Sequence, residues 1–268
     1  MKQRDSRRVG ARVRTHLSSS PVRTFVLTVL LPSFAWWSGP LQANPHGGVV
    51  VHGQVDMRGL GGRVLNIRQN SSSAIIDWEG FSIEAGETTR FIQPGSNAAI
   101  LNRVTGGDLS EIHGALRANG NVFLINPNGI LVGPGGSIDV HGLVLSTLDI
   151  DNGEFLAGGD QVFKGASKAG VTNLGRINAI GGDVFLIGHT VTNSGTIHAS
   201  EGTVGLAAGE EVLIKAEDGF GGERVYVRAT GTGVSGTGIL NDGTISGAAE
   251  VGATIKTEIG RASCRERV

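Results

Sequence analysis

The sequence predicts an all-β fold, a right-handed parallel β-helix with an N-terminal cap and extra-helical strands. Three observations predict it: a 20-residue repeat, apolar residues at alternate positions within that repeat, and an excess of glycine. The 44 glycines among 268 residues exceed twice the usual share of ~7%. With few aromatic residues, such a chain favours turns and strands over helices.

The repeat sets the architecture. Asn173, Gly175, Ile177, Ala179, Gly182, Val184 and Leu186 recur 20 residues later as Asn193, Gly195, Ile197, Ala199, Gly202, Val204 and Leu206. A fragment returns as Asn241, Gly243 and Ile245. Within a unit, Ile177 with Ala179 and Val184 with Leu186 show strand spacing, and glycine or asparagine punctuates them. A unit this short cannot bury its own apolar face, so it must stack on its neighbours as one rung of a solenoid.

Upstream, Gly114, Leu116, Ala118, Gly120, Val122 and Leu124 follow the same spacing. Coiling everything from Asn44 to Glu258 in this way sets an upper limit of about ten rungs. The irregular stretches 56–111 and 148–170 are expected to form extra-helical strands or loops. Open solenoid ends expose strand edges and invite association unless covered. The stretch from Gly47 to Gly59 is the expected N-terminal cap; no cap is expected at the other end, where further rungs would follow in the natural protein.

The two ends are expected to lie outside the fold. Residues 1–43 carry seven Lys or Arg against one acid, Asp5, and the basic stretch precedes an apolar run from Phe25 to Trp37. Charge followed by apolar residues is the order of a secretory signal. The run falls short of the ~20 residues of a spanning helix, so a cleaved, extended signal peptide over 1–43 is expected and a stable transmembrane span is not. Cleavage after Ala43 leaves Asn44-Pro45 as the new start, although Leu41 is large for the position two residues earlier; cleavage after Ala35 is the competing site.

At the other end, the ten residues from Ile259 to Val268 break both glycine spacing and charge balance. They match in order the translation of a short-read sequencing adaptor, ATC GGA AGA GCG TCG TGT AGG GAA AGA GTG. They are therefore expected not to belong to the natural protein. The only cysteine, Cys264, lies there, which leaves the folded region, 44–258, without a disulfide or thiol nucleophile.

Charge and motif analysis excludes several function classes. Residues 44–258 hold 13 basic and 22 acidic side chains, a net of −9, which repels phosphate backbones and argues against nucleic-acid binding. Gly231 to Gly236 fits a dinucleotide-binding pattern after a strand at Val225 to Arg228, but Gly238 and the Asn241-Asp242-Gly243 turn follow where a helix is required; no cofactor is expected. The histidines, among them His113, His141, His189 and His198, lack metal-ligand spacing, so no metal is expected. Asp149, Asp151 and Glu154, or Glu210 with Glu211, could suggest paired catalytic carboxylates, yet neighbours on one strand point to opposite faces. No catalytic residue is assigned. Trp78, Phe81, Phe91, Phe123 and Phe185 are expected in core packing rather than in a sugar-stacking platform.

Three elements occur in order: Trp78-Glu79-Gly80-Phe81-Ser82-Ile83, Asn102-Arg103-Val104-Thr105-Gly106, and Val122 through Asn126-Pro127-Asn128-Gly129-Ile130. With Ser146-Thr147-Leu148-Asp149-Ile150 and the repeats, the chain closely resembles the two-partner secretion domain of filamentous haemagglutinins, especially high-molecular-weight adhesins. Other members carry an upstream Asn-Pro-Asn-Leu element; here Asn102-Arg103-Val104-Thr105 stands in that region, which points to the adhesin subgroup. The resemblance implies export to the periplasm, engagement by the periplasmic domains of a dedicated outer-membrane β-barrel transporter, and passage outward without ATP. It also implies an adhesive or toxic region downstream that meets a host-surface ligand.

Asn126, Pro127, Asn128, Gly129 and Ile130, with Asn102 and Arg103, are the candidate secretion-motif residues. Pro127 fixes φ and Asn128-Gly129 accept positive φ, so a tight turn leaving a strand is expected. That turn either closes a rung or shapes the surface that the transporter reads. Two other readings of the whole stand beside it: an extracellular β-helical carbohydrate-active enzyme, and an autotransporter passenger with its own barrel.

Overall fold

The computed structural model describes residues 44–215, 225–228 and 238–254. The chain divides into Met1–Gly39 and Pro40–Val268, and every described residue belongs to the second unit. The expected signal peptide, the Gly231–Gly236 motif and the 259–268 tail lie outside the described residues.

The chain winds through three parallel faces. The first stacks Val64–Gln69, Thr88–Ile92, Ala115–Ala118, Ser137–Val140, Arg176–Ala179 and the leading halves of Thr196–Ala208 and Thr244–Thr254. Their register aligns Leu65, Thr89, Leu116, Ile138, Ile177, Ile197 and Ile245 in one column. The second face stacks Ser73–Trp78, Ala99–Val104, Asn121–Ile125, Gly142–Ser146, Val184–Gly188 and the trailing halves of the same two long strands. It aligns Ala74, Ile100, Val122, Leu143, Val184 and Val204.

The third face stacks Ser110–Ile112, Ile130–Val132, Gly170–Asn173, Thr190–Asn193 and Gly238–Asn241. Alternating side chains from all three faces meet in one buried core that holds Val184 and Val204 together. Period-two alternation at rung spacing therefore gives a β-helix, as the repeat predicts.

The repeat's polar positions have a physical reason. Asn173 and Asn193 are fully buried; Asn173 Nδ2 donates to Asn193 Oδ1 at 2.8 Å, and Asn193 Nδ2 donates to Asn241 Oδ1 at 2.8 Å. Each asparagine satisfies the next rung's amide, so the ladder fixes register without leaving a buried donor unpaired.

The cap falls where the sequence places it. Val49–His52 pairs antiparallel with Ser73–Trp78, and Val55–Arg58 pairs antiparallel with Val64–Gln69. These two strands close the leading edges of two faces, while Val55 and Met57 pack on the core. Covering such edges blocks further strand addition there.

The expectation for 56–111 is corrected: most of its ordered strands build rungs. Val64–Gln69, Thr88–Ile92 and Ala99–Val104 are parallel, in-register members of the two large faces. Polar residues at interior positions, Thr89 and Asn102, hide the alternation in the sequence, and both are fully buried. The stretch 148–170 does lie largely off the helix, as the helix Asn152–Ala157 and the antiparallel strands Asp149–Ile150 and Gln161–Lys164. Glu211–Ile214 and Val225–Arg228 extend that small antiparallel sheet.

This flap creates a second core on the outside of the second face. Ile75, Leu101, Phe123, Val144 and Phe185 point away from the column and are covered by Leu148, Phe155, Phe163, Val212 and Ile214. Phe123 stacks edge-on with Phe155, centroids 5.2 Å apart. The second face is consequently apolar on both sides, and its strands read as continuous hydrophobic runs such as Val122 to Ile125.

Candidate functional site

The Asn126–Ile130 segment joins the second face to the third. Asn126 leaves the strand Asn121–Ile125 with its side chain completely buried. Its Nδ2 donates to the Asp108 carbonyl and to Ser110 Oγ, each at 2.9 Å, while its Oδ1 accepts from the Asn128 amide at 2.9 Å. Gly129 N donates back to Asn126 O at 3.0 Å, which closes the turn. The side chain thereby mimics a backbone turn and saturates its own hydrogen-bonding capacity.

The turn is pinned to both neighbouring rungs. Asn128 Nδ2 reaches back to the Gly106 carbonyl at 2.8 Å, Ser110 N donates to Gly129 O, and Asn126 N donates forward to Ser146 O at 3.0 Å. Ser167 Oγ, on the segment that follows the flap hairpin, donates to Pro127 O at 2.6 Å. Gly129 has φ +116, a conformation that L side chains rarely adopt, so glycine is favoured there on conformational grounds. Ile130 is buried and opens the third face between Ser110 and Val171. Only Pro127 and Asn128 are exposed at the tip.

Asn102 and Arg103 sit one rung back, with Arg103 in register with Ile125. They point to opposite sides. Asn102 is inside the column, where its Oδ1 accepts from Trp78 Nε1 at 3.0 Å and its Nδ2 donates to Phe123 O at 3.2 Å. Trp78 meets Phe81 edge-on beneath the cap, so Asn102 satisfies the buried indole that anchors it.

Arg103 faces outward beneath the flap. Its guanidinium donates to Asp149 Oδ1 at 2.9 Å, Asn152 Oδ1 at 2.9 Å and the Ile150 carbonyl at 2.8 Å, with Asp77 Oδ1 3.6 Å away. The planar fork ties the start of the flap to the rung, a geometry that an ammonium cannot reproduce. Sequence reasoning selected Arg103 without its partners; the signal was Asp149 in the quoted Ser146 to Ile150 element.

Three of the carboxylates considered for catalysis, Asp149, Asp151 and Glu210, have structural partners. Asp149 holds Arg103, and Asp151 caps the flap helix by accepting from Gly153 N at 2.7 Å and Glu154 N at 3.3 Å. Glu210 pairs with Lys168. Among the described residues no group of three or more His, Cys, Asp or Glu converges as a metal site. Trp78, Phe81 and Phe91 are inside the column, and Phe123 and Phe185 lie under the flap.

Sequence reasoning missed a buried cluster under the cap. Glu87 is 9% exposed, and its Oε2 accepts from Asn44 N at 2.9 Å and Glu84 N at 3.0 Å. Thr89 Oγ1 donates to Asn44 Oδ1 at 2.8 Å, and Asn44 Nδ2 donates to the Gly62 carbonyl. No periodic pattern marks these residues.

Comparison with known proteins agrees with the fold. A heme/hemopexin-binding protein of Haemophilus influenzae is 34% identical over 211 residues, covering 75% of this chain and 23% of the relative. A second protein of that name is 44% identical over 87 residues, covering 32% of this chain and 9% of the relative. The chain thus spans about a quarter or less of the curated relatives it matches. The solved HMW1 secretion domain of Haemophilus influenzae is 31% identical with a TM-score of 0.64, over 78% of this chain and 61% of that one. The filamentous hemagglutinin secretion domain, 16% identical with a TM-score of 0.50 over 76% of this chain and 77% of that one, shares the fold. The carbohydrate-active enzyme and autotransporter readings find no support among these relatives. The family model of the TPS secretion domain matches residues 41–257, and the chain belongs to that two-partner secretion family.

Proposed function

We propose that this domain is the export address of a large exoprotein, read in the periplasm by the periplasmic domains of its dedicated outer-membrane transporter, and that it starts β-helix folding as the chain emerges. Family membership implies a transporter partner of the two-partner type and delivery through the outer membrane to the cell surface or beyond. No helix among the described residues is long and apolar enough to cross a membrane. We read the domain as non-enzymatic, and assign any host-surface or heme-related ligand of the exoprotein to sequence outside it.

One observation carries the assignment of the recognised surface. The Asn126–Ile130 turn buries Asn126 as a three-rung tie and presents Pro127 and Asn128 at the surface. Its direct role is to hold the rungs in register, and recognition depends on the surface so maintained. Transporter domains can bind nearby backbone by strand addition, where main-chain hydrogen bonds supply affinity.

Asn126→Ala removes two donors and an acceptor from buried partners and should cost ~1–3 kcal/mol. Asn128→Ala loses its tie to Gly106 at the surface. The double variant, expressed with the cognate transporter, is expected to accumulate in the periplasm while secreted protein falls to a small fraction of wild type. Undiminished secretion would overturn the assignment of this turn.

A further inference from the structure

The cap cluster around Asn44 has the form of a receptor for a chain terminus. Asn44 is 1% exposed and has φ +64, a left-handed conformation for a residue that carries a side chain. Its backbone nitrogen points at the buried Glu87 carboxylate, 2.9 Å away, and no ion pair to Glu87 is present among the described residues. A buried carboxylate that accepts only neutral amide donors is costly without a cation. A left-handed φ also carries strain in an internal residue.

Cutting the peptide bond before Asn44 removes both costs. We propose that signal peptidase cleaves between Ala43 and Asn44, and that the new α-ammonium of Asn44 docks on Glu87 as a buried ion pair that locks the cap. Hydrolysis breaks the Ala43–Asn44 C–N bond; water supplies the hydroxyl to the Ala43 carbonyl carbon and a proton to the Asn44 nitrogen. The amine then takes one more proton from solvent, since an α-amino group titrates near ~7.7–8.0. The Asn44 φ, defined by the preceding carbonyl carbon, ceases to be a constraint.

Charge now meets charge where a neutral N–H stood, and the side chain of Asn44 already holds Thr89 and Gly62. Cleavage after Ala35 would instead leave eight additional residues, Trp36 to Ala43, attached to a buried nitrogen. A buried ion pair between the Asn44 terminus and Glu87 thus favours cleavage after Ala43 over cleavage after Ala35. Removal of the leader becomes a step that completes the cap, and with it the edge protection of the first rung.

The test uses the chain expressed with its own leader in a Gram-negative host. Mass spectrometry of the exported product is expected to find a terminal peptide starting at Asn44. Acylation of its α-amine at neutral pH by an amine-selective reagent should be slower by about ten-fold or more than in Glu87→Gln. A terminus at Trp36, a retained leader, or equal acylation rates would overturn the proposal.

If Glu87→Gln does not fold, a wild-type chain made to retain Ala43 provides the second comparison. Its unfolding equilibrium constant should be larger by about ten-fold than that of the chain starting at Asn44; an unchanged constant overturns the ion pair. The secretion reading fails separately, because a correctly exported protein beginning at Trp36 sinks only this proposal.

Discussion

Leu186→Asp is expected to abolish folding of the domain. Leu186 is fully buried in the column, in register with Leu145 before it and Leu206 after it. Losing its packing alone costs ~2–5 kcal/mol. The introduced carboxylate must either stay charged without a partner or take up a proton, which adds several kcal/mol. The sum is comparable with the whole stability of a domain, ~5–15 kcal/mol. His198→Asp, on an exposed outward position of a neighbouring strand, should stay within about 0.5 kcal/mol of wild type. Circular dichroism and urea unfolding of the two variants would show the contrast; a folded Leu186→Asp would contradict a shared interior.

Gly195→Val has the next largest expected effect, and it concerns spacing rather than burial. A Cβ on Gly195 would lie 2.2 Å from the Gly175 carbonyl oxygen and 2.9 Å from Asn173 Nδ2. The same holds one rung later, where a Cβ on Gly243 would lie 2.2 Å from Gly195 O. The clash is with backbone of the preceding rung, so relief requires the rungs to separate and the asparagine ladder to stretch. We expect a loss of ~3 kcal/mol or more, beyond the usual range for overpacking because backbone must move. At Gly95, where a Cβ meets nothing within 4 Å, alanine should be close to neutral. Urea midpoints of the two variants measure the difference, and equal midpoints would contradict close stacking.

These two sites also mark how far the fold was legible. Glycine and asparagine recur with the apolar residues at 177–206 because each repeat position meets its own copy one rung away, and that identity is visible in a single sequence. Rungs between Val64 and Val104 were not visible, since their turns differ in length and interior Thr89 and Asn102 interrupt the apolar alternation. The flap was legible only as an irregular stretch. Its consequence, a second hydrophobic core on the outer face, follows from contacts between Phe123, Phe155 and Phe163 that are distant in sequence.

The candidate site was legible in part. Asn126 to Ile130 reads as a turn from proline and glycine chemistry, and the turn is there. What the sequence did not disclose is that Asn126 is buried while Asn128 is exposed, or that Asn102 and Arg103 serve opposite sides of one strand. Strand alternation explains the second point once the strand is known. The Asn44–Glu87 cluster had no local signature, because it joins the cap to a turn 43 residues away.

In-register stacking is the claim on which the cap, the asparagine ladder and the secretion surface all depend, and a cross-link measures it directly. Asn178 and His198 are register partners on outward positions of adjacent rungs, where parallel neighbours stand ~4.8 Å apart, within disulfide reach. In a Cys264→Ser background, cysteines at 178 and 198 are predicted to form a disulfide in the folded protein. Cysteines at 178 and 196, a diagonal pair ~7–8 Å apart, are predicted not to. Equal cross-linking of both pairs, or none at 178 and 198 in a folded chain, would contradict the account.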